Sequence, residues 1–146
     1  MITLAIKKQI TDAMKVKDAV RLATLKLLYS ELHNEWIAKQ HELSEEEELV
    51  VVRREVKKRK DAAESYEKVG RVDRAEAEKA ELTILQEFLP AEMGDEELSQ
   101  LVSDLINQLN ATGPEDTGRV MGAVMQKVAG RAGGDRVARI VRSELT

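Results

Sequence analysis

A chain of 146 residues with 23 basic and 27 acidic side chains carries a net charge of −4, and at this length roughly 68 to 70% of the unfolded surface can be buried, enough for one core or two small ones. The absence of cysteine excludes disulfides, thiolate nucleophiles and thiolate metal sites together, which fits a reducing cytoplasm. Aromatic residues make up only 3% and charged residues 34%, a balance that favours long solvated helices over sheet, so the expected fold class is all α.

The opening MITLAIKKQITDAMK places charges where a signal peptide needs its apolar region, and no apolar run approaches the ~20 residues that span a bilayer. A soluble cytoplasmic protein with no membrane partner is therefore expected. Ile6, Ile10 and Met14 recur at i, i+4 and i+8, predicting an amphipathic helix over residues 3–16 with Lys7, Lys8 and Lys15 on its wet side. Asp18 offers a cap to a second helix, whose Leu22, Leu25, Tyr29, Leu32 and Trp36 repeat at 3, 4, 3, 4, the spacing of a packing seam. The two should form an antiparallel hairpin, with Trp36 in the core or at an interface.

Ser44 followed by Glu47 is a capping box, and the run Glu45 to Glu48 sits where a helix dipole welcomes negative charge. A third helix is thus predicted from about residue 45 to Val69, ended by Gly70, with Tyr66 on its apolar seam. Asp73 with Glu76 repeats the capping-box spacing before a fourth helix that buries Leu82, Leu85 and Phe88 or Leu89 and stops before Pro90. Pro90 to Gly94 is the candidate domain boundary, dividing the chain into residues 1–92 and 93–146. Leu98, Leu101, Val102, Leu105 and Leu109 predict a fifth helix closed by Asn110-Ala111-Thr112-Gly113-Pro114. Val120, Val124 and Val128 predict a sixth ending at Gly130. Val137, Ile140, Val141 and Leu145 predict a seventh, preceded by Gly133, Gly134 and the capping candidate Asp135.

Charge is unevenly divided. Residues 117–146 hold six basic side chains (Arg119, Lys127, Arg131, Arg136, Arg139, Arg142) against two acidic ones, whereas residues 1–116 hold 17 basic against 25 acidic. A basic end on an acidic body is a natural docking surface for a polyanion. Arg136, Arg139 and Arg142 lie opposite the apolar stripe of the seventh helix, so they face outward if the valines face in. Gly130-Arg131-Ala132-Gly133-Gly134 leads into a helix N-terminus, which offers unpaired N–H groups and a partial positive charge to an anion, with an arginine fork beside it. Gly118 and Gly122, inside or at the start of a helix, suggest close backbone approach, either by a neighbouring helix or by a phosphate-sugar backbone.

A second basic cluster runs through Arg53, Arg54, Lys57, Lys58, Arg59 and Lys60 on the third helix. Helical pairs Glu55–Arg59 and Glu64–Lys68 surround it, so it reads first as a solvated face and second as an accessory RNA contact. His33 and His41 are the only histidines, and no carboxylate spacing near them implies a metal cage. No serine has an evident base partner and no phosphate-binding loop occurs, so no catalytic residue, metal or cofactor is expected.

The stretch GRVMGAVMQKVAGR, followed by a glycine turn and VARIVRSEL, resembles the C-terminal motif of the GatB/YqeY family. Upstream, RREVKKRKDAAESYEKVGRVDRAEAEKAELTILQEFLP is similar to the central stretch of the stand-alone YqeY-like proteins, so the resemblance covers nearly the full length. Gly94 stands where relatives usually place a serine-type cap, and Gly133-Gly134 where Asp-Gly is common; both leave the turns possible. The resemblance implies a helical N-terminal domain of about four helices followed by a three-helix domain. The same C-terminal module is similar to the tail of the B subunit of tRNA-dependent glutamine amidotransferases, where it helps hold the misacylated tRNA. It implies an accessory, non-catalytic module that binds tRNA or a tRNA-protein assembly beside an amidotransferase or synthetase, and a family association with carbon-nitrogen ligation using glutamine. The candidate RNA-binding residues are then Arg119, Lys127, Arg131, Gly133, Gly134, Arg136, Arg139 and Arg142, with Arg53, Arg54, Lys57 and Lys58 as a secondary set. The alternative is a protein-protein adaptor or homo-oligomer in which the arginines only solubilise the chain.

Overall fold

Seven α-helices and one 3-10 turn account for the fold in the computed structural model, which describes all residues from Met1 to Thr146. In order they are α1 (Ile2–Lys15), α2 (Ala19–Lys39), α3 (Glu45–Lys68), α4 (Val72–Gln86), α5 (Asp95–Leu109), the turn Pro114–Asp116, α6 (Thr117–Val128) and α7 (Gly134–Glu144). The chain is all helical, as its composition implies. It divides into two units, Met1–Leu89 and Pro90–Thr146. Residues 90–93 belong with the second, since Met93 N–H donates to Arg131 O at 2.8 Å and Arg131 Nε–H donates to Ala91 O at 2.8 Å.

In the first unit α3 and α4 pack along each other, and α1 and α2 complete the core around Ile6, Leu25, Leu28, Leu32, Val51, Val52 and Leu85. Two stripes differ from their sequence reading, both because an α-helix advances 3.6 residues per turn. Met14 is exposed and Ala13 takes the buried place, since i+8 rotates about 80° away from Ile6 while i+7 stays within about 20°. On α2 the buried set is Thr24, Leu25, Leu28 and Leu32; a strict 3-4 repeat drifts roughly 20° per heptad, which carries Trp36 to the edge, 46% exposed.

Helix ends follow their local chemistry. Ser44 Oγ accepts from Glu47 N–H at 3.2 Å while the Glu47 carboxylate accepts from Ser44 N–H at 3.1 Å, a complete capping box. Gly70, at φ +76°, ends α3: Gly70 N–H donates to Glu67 O and Arg71 N–H to Tyr66 O at 2.8 Å. That closure turns the chain into α4 one residue before the expected cap. Arg71 therefore precedes the helix, Asp73 lies in its first turn, and no side chain caps it.

The glutamate run holds a residue whose role is not its own helix's dipole. α1 has no side-chain cap from Met1. Glu48, on α3 and fully buried, supplies one: Oε1 accepts from Ile2 N–H at 3.3 Å, and Oε2 accepts from Thr3 N–H at 2.7 Å and from the Thr3 hydroxyl at 2.6 Å. A carboxylate on two open N–H groups at a positive helix end satisfies charge and hydrogen bonding together. In the second unit α5, α6 and α7 pack mutually around Leu98, Val102, Leu105, Val120, Val124, Val128, Val137 and Val141.

Replacing Glu48 by alanine leaves the half-buried Ile2 and Thr3 N–H groups without their acceptor and is expected to lower unfolding free energy by about 1–3 kcal/mol, with a smaller loss for Thr3→Val. Urea unfolding of both variants and their double mutant checks this, because the pair should be non-additive.

Candidate nucleic-acid interface

α6 ends in two left-handed residues, Ala129 at φ +47° and Gly130 at φ +80°. The chain then enters α7 with Gly133 as N-cap, Gly134 as first residue and Asp135 as second, and no side chain caps the helix. Asp135, expected as the cap, instead meets the dipole from inside the first turn. The first helical bond runs from Val137 N–H to Gly133 O at 3.1 Å, so the N–H groups of Gly134, Asp135 and Arg136 are left at the open helix end.

The six cations of residues 117–146 separate into two kinds. Arg119 donates to Leu109 O at 2.8 Å and pairs with Asp116 at 3.1 Å. Arg131, besides its bond to Ala91 O, sets its fork 3.4 Å from both oxygens of Glu97. Arg136 donates to Met93 O at 2.9 Å and to Asp95 at 2.7 Å. These three tie α6, the α6–α7 loop and α7 to the ends of α5. Their forks are engaged, which corrects the reading of Arg136 as an outward partner of Arg139 and Arg142. Lys127, Arg139 and Arg142 are exposed and carry no ion pair, although the Arg139 charge still acts on Asp95. Hydrogen bonding from Arg136 holds the Asp95 carboxyl below its usual range. The Thr112 N–H, then the Arg119 guanidinium, does the same for Asp116.

Gly118 and Gly122 lie exposed on α6, and a Cβ at either would meet nothing within 4 Å. Helix-to-helix packing inside the bundle, one of the two reasons expected for them, is thereby removed. What they leave is a smooth strip of open surface.

The secondary cluster is largely neutralised from within. Arg54 pairs with Glu35 at 3.5 Å, Lys57 with Asp61 at 3.0 Å and Lys58 with the buried Glu55 at 3.1 Å. Arg53 is half-buried. Arg59 lies 3.7 Å from Glu55, 3.7 Å from Glu78 and 2.8 Å from Glu81; its buried Nε makes no directional hydrogen bond, so the contact is ionic. Glu64 and Lys68, both exposed, do not pair, as is common for two long solvated side chains.

The remaining sequence candidates fall elsewhere. His41 Nε2 lies 3.5 Å from Glu47, and no group of three or more side chains gathers to hold a metal ion. His33 stacks between Tyr29 at 6.5 Å and Trp36 at 5.4 Å. This ladder was missed because Trp36 was read only as a packing residue of the core or an interface; the signal for it is the i, i+4, i+7 spacing of the three rings. Tyr66 is half-buried, with the Arg74 guanidinium 5.9 Å over its ring.

The profile of a family described as Yqey-like protein matches residues 4–145. An uncharacterized protein of Schizosaccharomyces pombe is 33% identical over 85 residues, 58% of this chain and 69% of the relative. The mitochondrial protein of Pyrenophora tritici-repentis called Altered inheritance of mitochondria protein 41 is 25% identical over 130 residues, 87% of this chain and 71% of the relative. No helix is long and apolar enough to cross a membrane.

Asp95 and Asp116 titrate lower in the folded than in the unfolded chain, so in acid the unfolded state binds more protons and stability rises with pH. Their contribution is complete above the ordinary aspartate value of 3.8 and is lost as pH falls through the depressed folded values. Chemical denaturation from about pH 6 to about pH 2, the range over which carboxylates titrate, should show a shallower decline for Asp95→Asn. Gly122→Ala should raise stability by about 1 kcal/mol, because it removes an interior helical glycine without a clash.

Proposed function

We propose, from the premise that the chain belongs to the YqeY-like family, that it is a non-catalytic helical module binding tRNA or a tRNA-protein assembly through its second unit. The observation that carries this reading is the exposed, unpaired set Lys127, Arg139 and Arg142, on a segment whose other three cations are spent in holding the bundle together. Charges without an internal partner are available to phosphates, and arginine's planar fork suits a phosphate oxygen pair. Contacts of this kind position RNA without reading its bases.

Two neighbouring features support the same use. The open N-terminus of α7 at Gly133 and Gly134 presents backbone donors, with Asp135 moderating its affinity for anions. Gly118 and Gly122 leave α6 free of side-chain bulk, so a sugar-phosphate strand can approach its backbone closely. The contact set is thus narrower than charge counting suggests: Arg119, Arg131 and Arg136 are positioning residues for the bundle, and Arg54, Lys57 and Lys58 face their own carboxylates. The amide-transfer chemistry associated with the family belongs, in this reading, to an amidotransferase or synthetase partner, and the site of action is the cytoplasm.

Titration with bulk tRNA at several salt concentrations tests the reading. Affinity should fall with salt, with a log-log slope of about −0.7 per single-stranded phosphate contact and steeper for duplex. Changing Lys127, Arg139 and Arg142 together to glutamate should abolish binding without unfolding the protein, and Gly122→Ala should weaken it while stabilising the fold. No binding at low salt, or binding indifferent to the triple change, sinks the proposal and leaves the protein-adaptor class.

A further inference from the structure

In the first unit a cleft of about 480 Å³ opens between α1, α2 and the start of α3, with Leu4, Lys7, Tyr29 and Trp36 among its walls. Its lining sets one ammonium, that of Lys7, against the carboxylates of Glu42 and Glu48, so charge selects no ligand there. The outer surface of the α1–α2 hairpin beside it is one-sided. Residues 1–40 hold seven basic side chains. Arg21 pairs with Glu87, and Lys39 with Glu35 and Glu47. The other five, Lys7, Lys8, Lys15, Lys17 and Lys26, are exposed and have no carboxylate partner.

Helical phase gathers most of them. At about 100° per residue, Leu4, Lys7, Lys8, Thr11, Met14 and Lys15 fall within an arc of about 120° on α1, across the helix from the buried Ile6 and Ala13. That arc holds no acidic residue. Its Lys7 edge meets α2, since the Lys7 ammonium rests 5.7 Å from the Tyr29 ring; Asp12, the one acidic residue of α1, lies beyond the opposite edge. Lys26, three residues before Tyr29, extends the surface onto α2, and Glu31 stands about 140° around that helix from it. The turn joining the helices is closed by Asp18 N–H donating to Ala13 O at 3.1 Å, with Lys17 at φ +56°. Glycine is the easier residue at such a left-handed position, yet this turn carries an ammonium. Asp18 beside it is engaged in capping α2.

Apolar side chains stand among these cations: Leu4 is 68% exposed, Met14 56% and Val16 74%. The mixture discriminates between anionic partners. A sugar-phosphate strand can use the ammonium groups but gains nothing from the apolar ones, and this face has no unpaired arginine fork for a phosphate. Lysine is depleted at protein-protein interfaces, and apolar residues separated by lysines form no continuous interface core. An anionic bilayer uses both kinds of group, because its negative surface attracts lysines while apolar side chains enter the boundary between headgroups and acyl chains.

We propose that the outer face of the α1–α2 hairpin adsorbs to an anionic lipid surface, with the five lysines against the headgroups and Leu4, Met14 and Val16 in the interfacial layer. The chain lies on the bilayer in this arrangement; no helix is long and apolar enough to cross one. The inference is independent of RNA binding, since it uses none of the residues invoked for that role.

The full chain is sedimented with phosphatidylcholine vesicles that either contain or lack phosphatidylglycerol. The anionic vesicles should bind it at least about tenfold tighter, with affinity falling as salt screens their surface. Lys8→Glu combined with Lys15→Glu should weaken that binding about tenfold or more. Leu4→Ser combined with Val16→Ser, which leaves the charge unchanged, should weaken it severalfold. Lys17→Gly removes a cation where glycine fits the backbone, so it should weaken binding with no loss of thermal stability, which separates charge from folding. Changing Lys127, Arg139 and Arg142 to glutamate should leave the vesicle binding in place. The proposal is overturned if anionic vesicles bind no tighter than neutral ones, or if either paired change leaves sedimentation unaltered. It is equally overturned if the paired lysine change weakens tRNA binding instead, which makes this face an RNA contact. A doubling of the mass in solution that Leu4→Ser with Val16→Ser abolishes overturns it too, by making the occupant a second copy.

Discussion

A single carboxylate, that of Glu48, ties the start of the chain to the helix that begins more than forty residues later. The N-terminus of α1 is an anion site built of backbone donors, and Glu48 fills it from across the core. A buried carboxylate is tolerable only when its oxygens are occupied and an opposing charge is near, and the helix end supplies both. The consequence is geometric: α1 is fixed against α3 at its first turn, and the space left beside that junction, walled by the rings of α2, is the cleft of the first unit.

The second unit applies the same chemistry with the signs exchanged. Arg119, Arg131 and Arg136 donate to the carbonyls of Leu109, Ala91 and Met93, groups that belong to the ends and flanks of α5. Backbone acceptors at such places need partners, and long side chains with several donors reach them. Cations recruited in this way are withdrawn from any external role. Only Lys127, Arg139 and Arg142 remain as a surface charge, so the functional reading rests on the part of the basic segment that the fold does not use.

How much could be read in advance depended on the range of the interaction concerned. The capping box at Ser44 and Glu47, the glycine stop at Gly70, and the valine stripes of α6 and α7 were legible because each is set within one or two turns of chain. Glu48 was not recognised, although its phase contains the clue: with Glu55 it lies on the stripe of Val51, Val52 and Val56, the buried face of α3. Charge led to the run Glu45–Glu48 being read as dipole compensation, which holds for Glu47's neighbourhood and fails for the one member that points inward. Met14 was placed on the buried stripe by an i, i+4, i+8 repeat that rotates about 80° from its start, and Trp36, read as core or interface, lies at the exposed end of a seam that drifts with each heptad.

By itself the amino-acid order determined the helices, the caps at Asp18 and Ser44, the stop at Gly70 and the concentration of positive charge near the carboxyl end, which follow from local periodicity and composition, while its motifs carried the resemblance to the family. Only the tertiary structure decided which charges are spent internally, which glycines face open surface, and that three aromatic rings stand beside a cleft. Those outcomes hinge on groups distant along the chain meeting in space, where a guanidinium finds a carbonyl forty residues away or finds water, and no local pattern distinguishes the two.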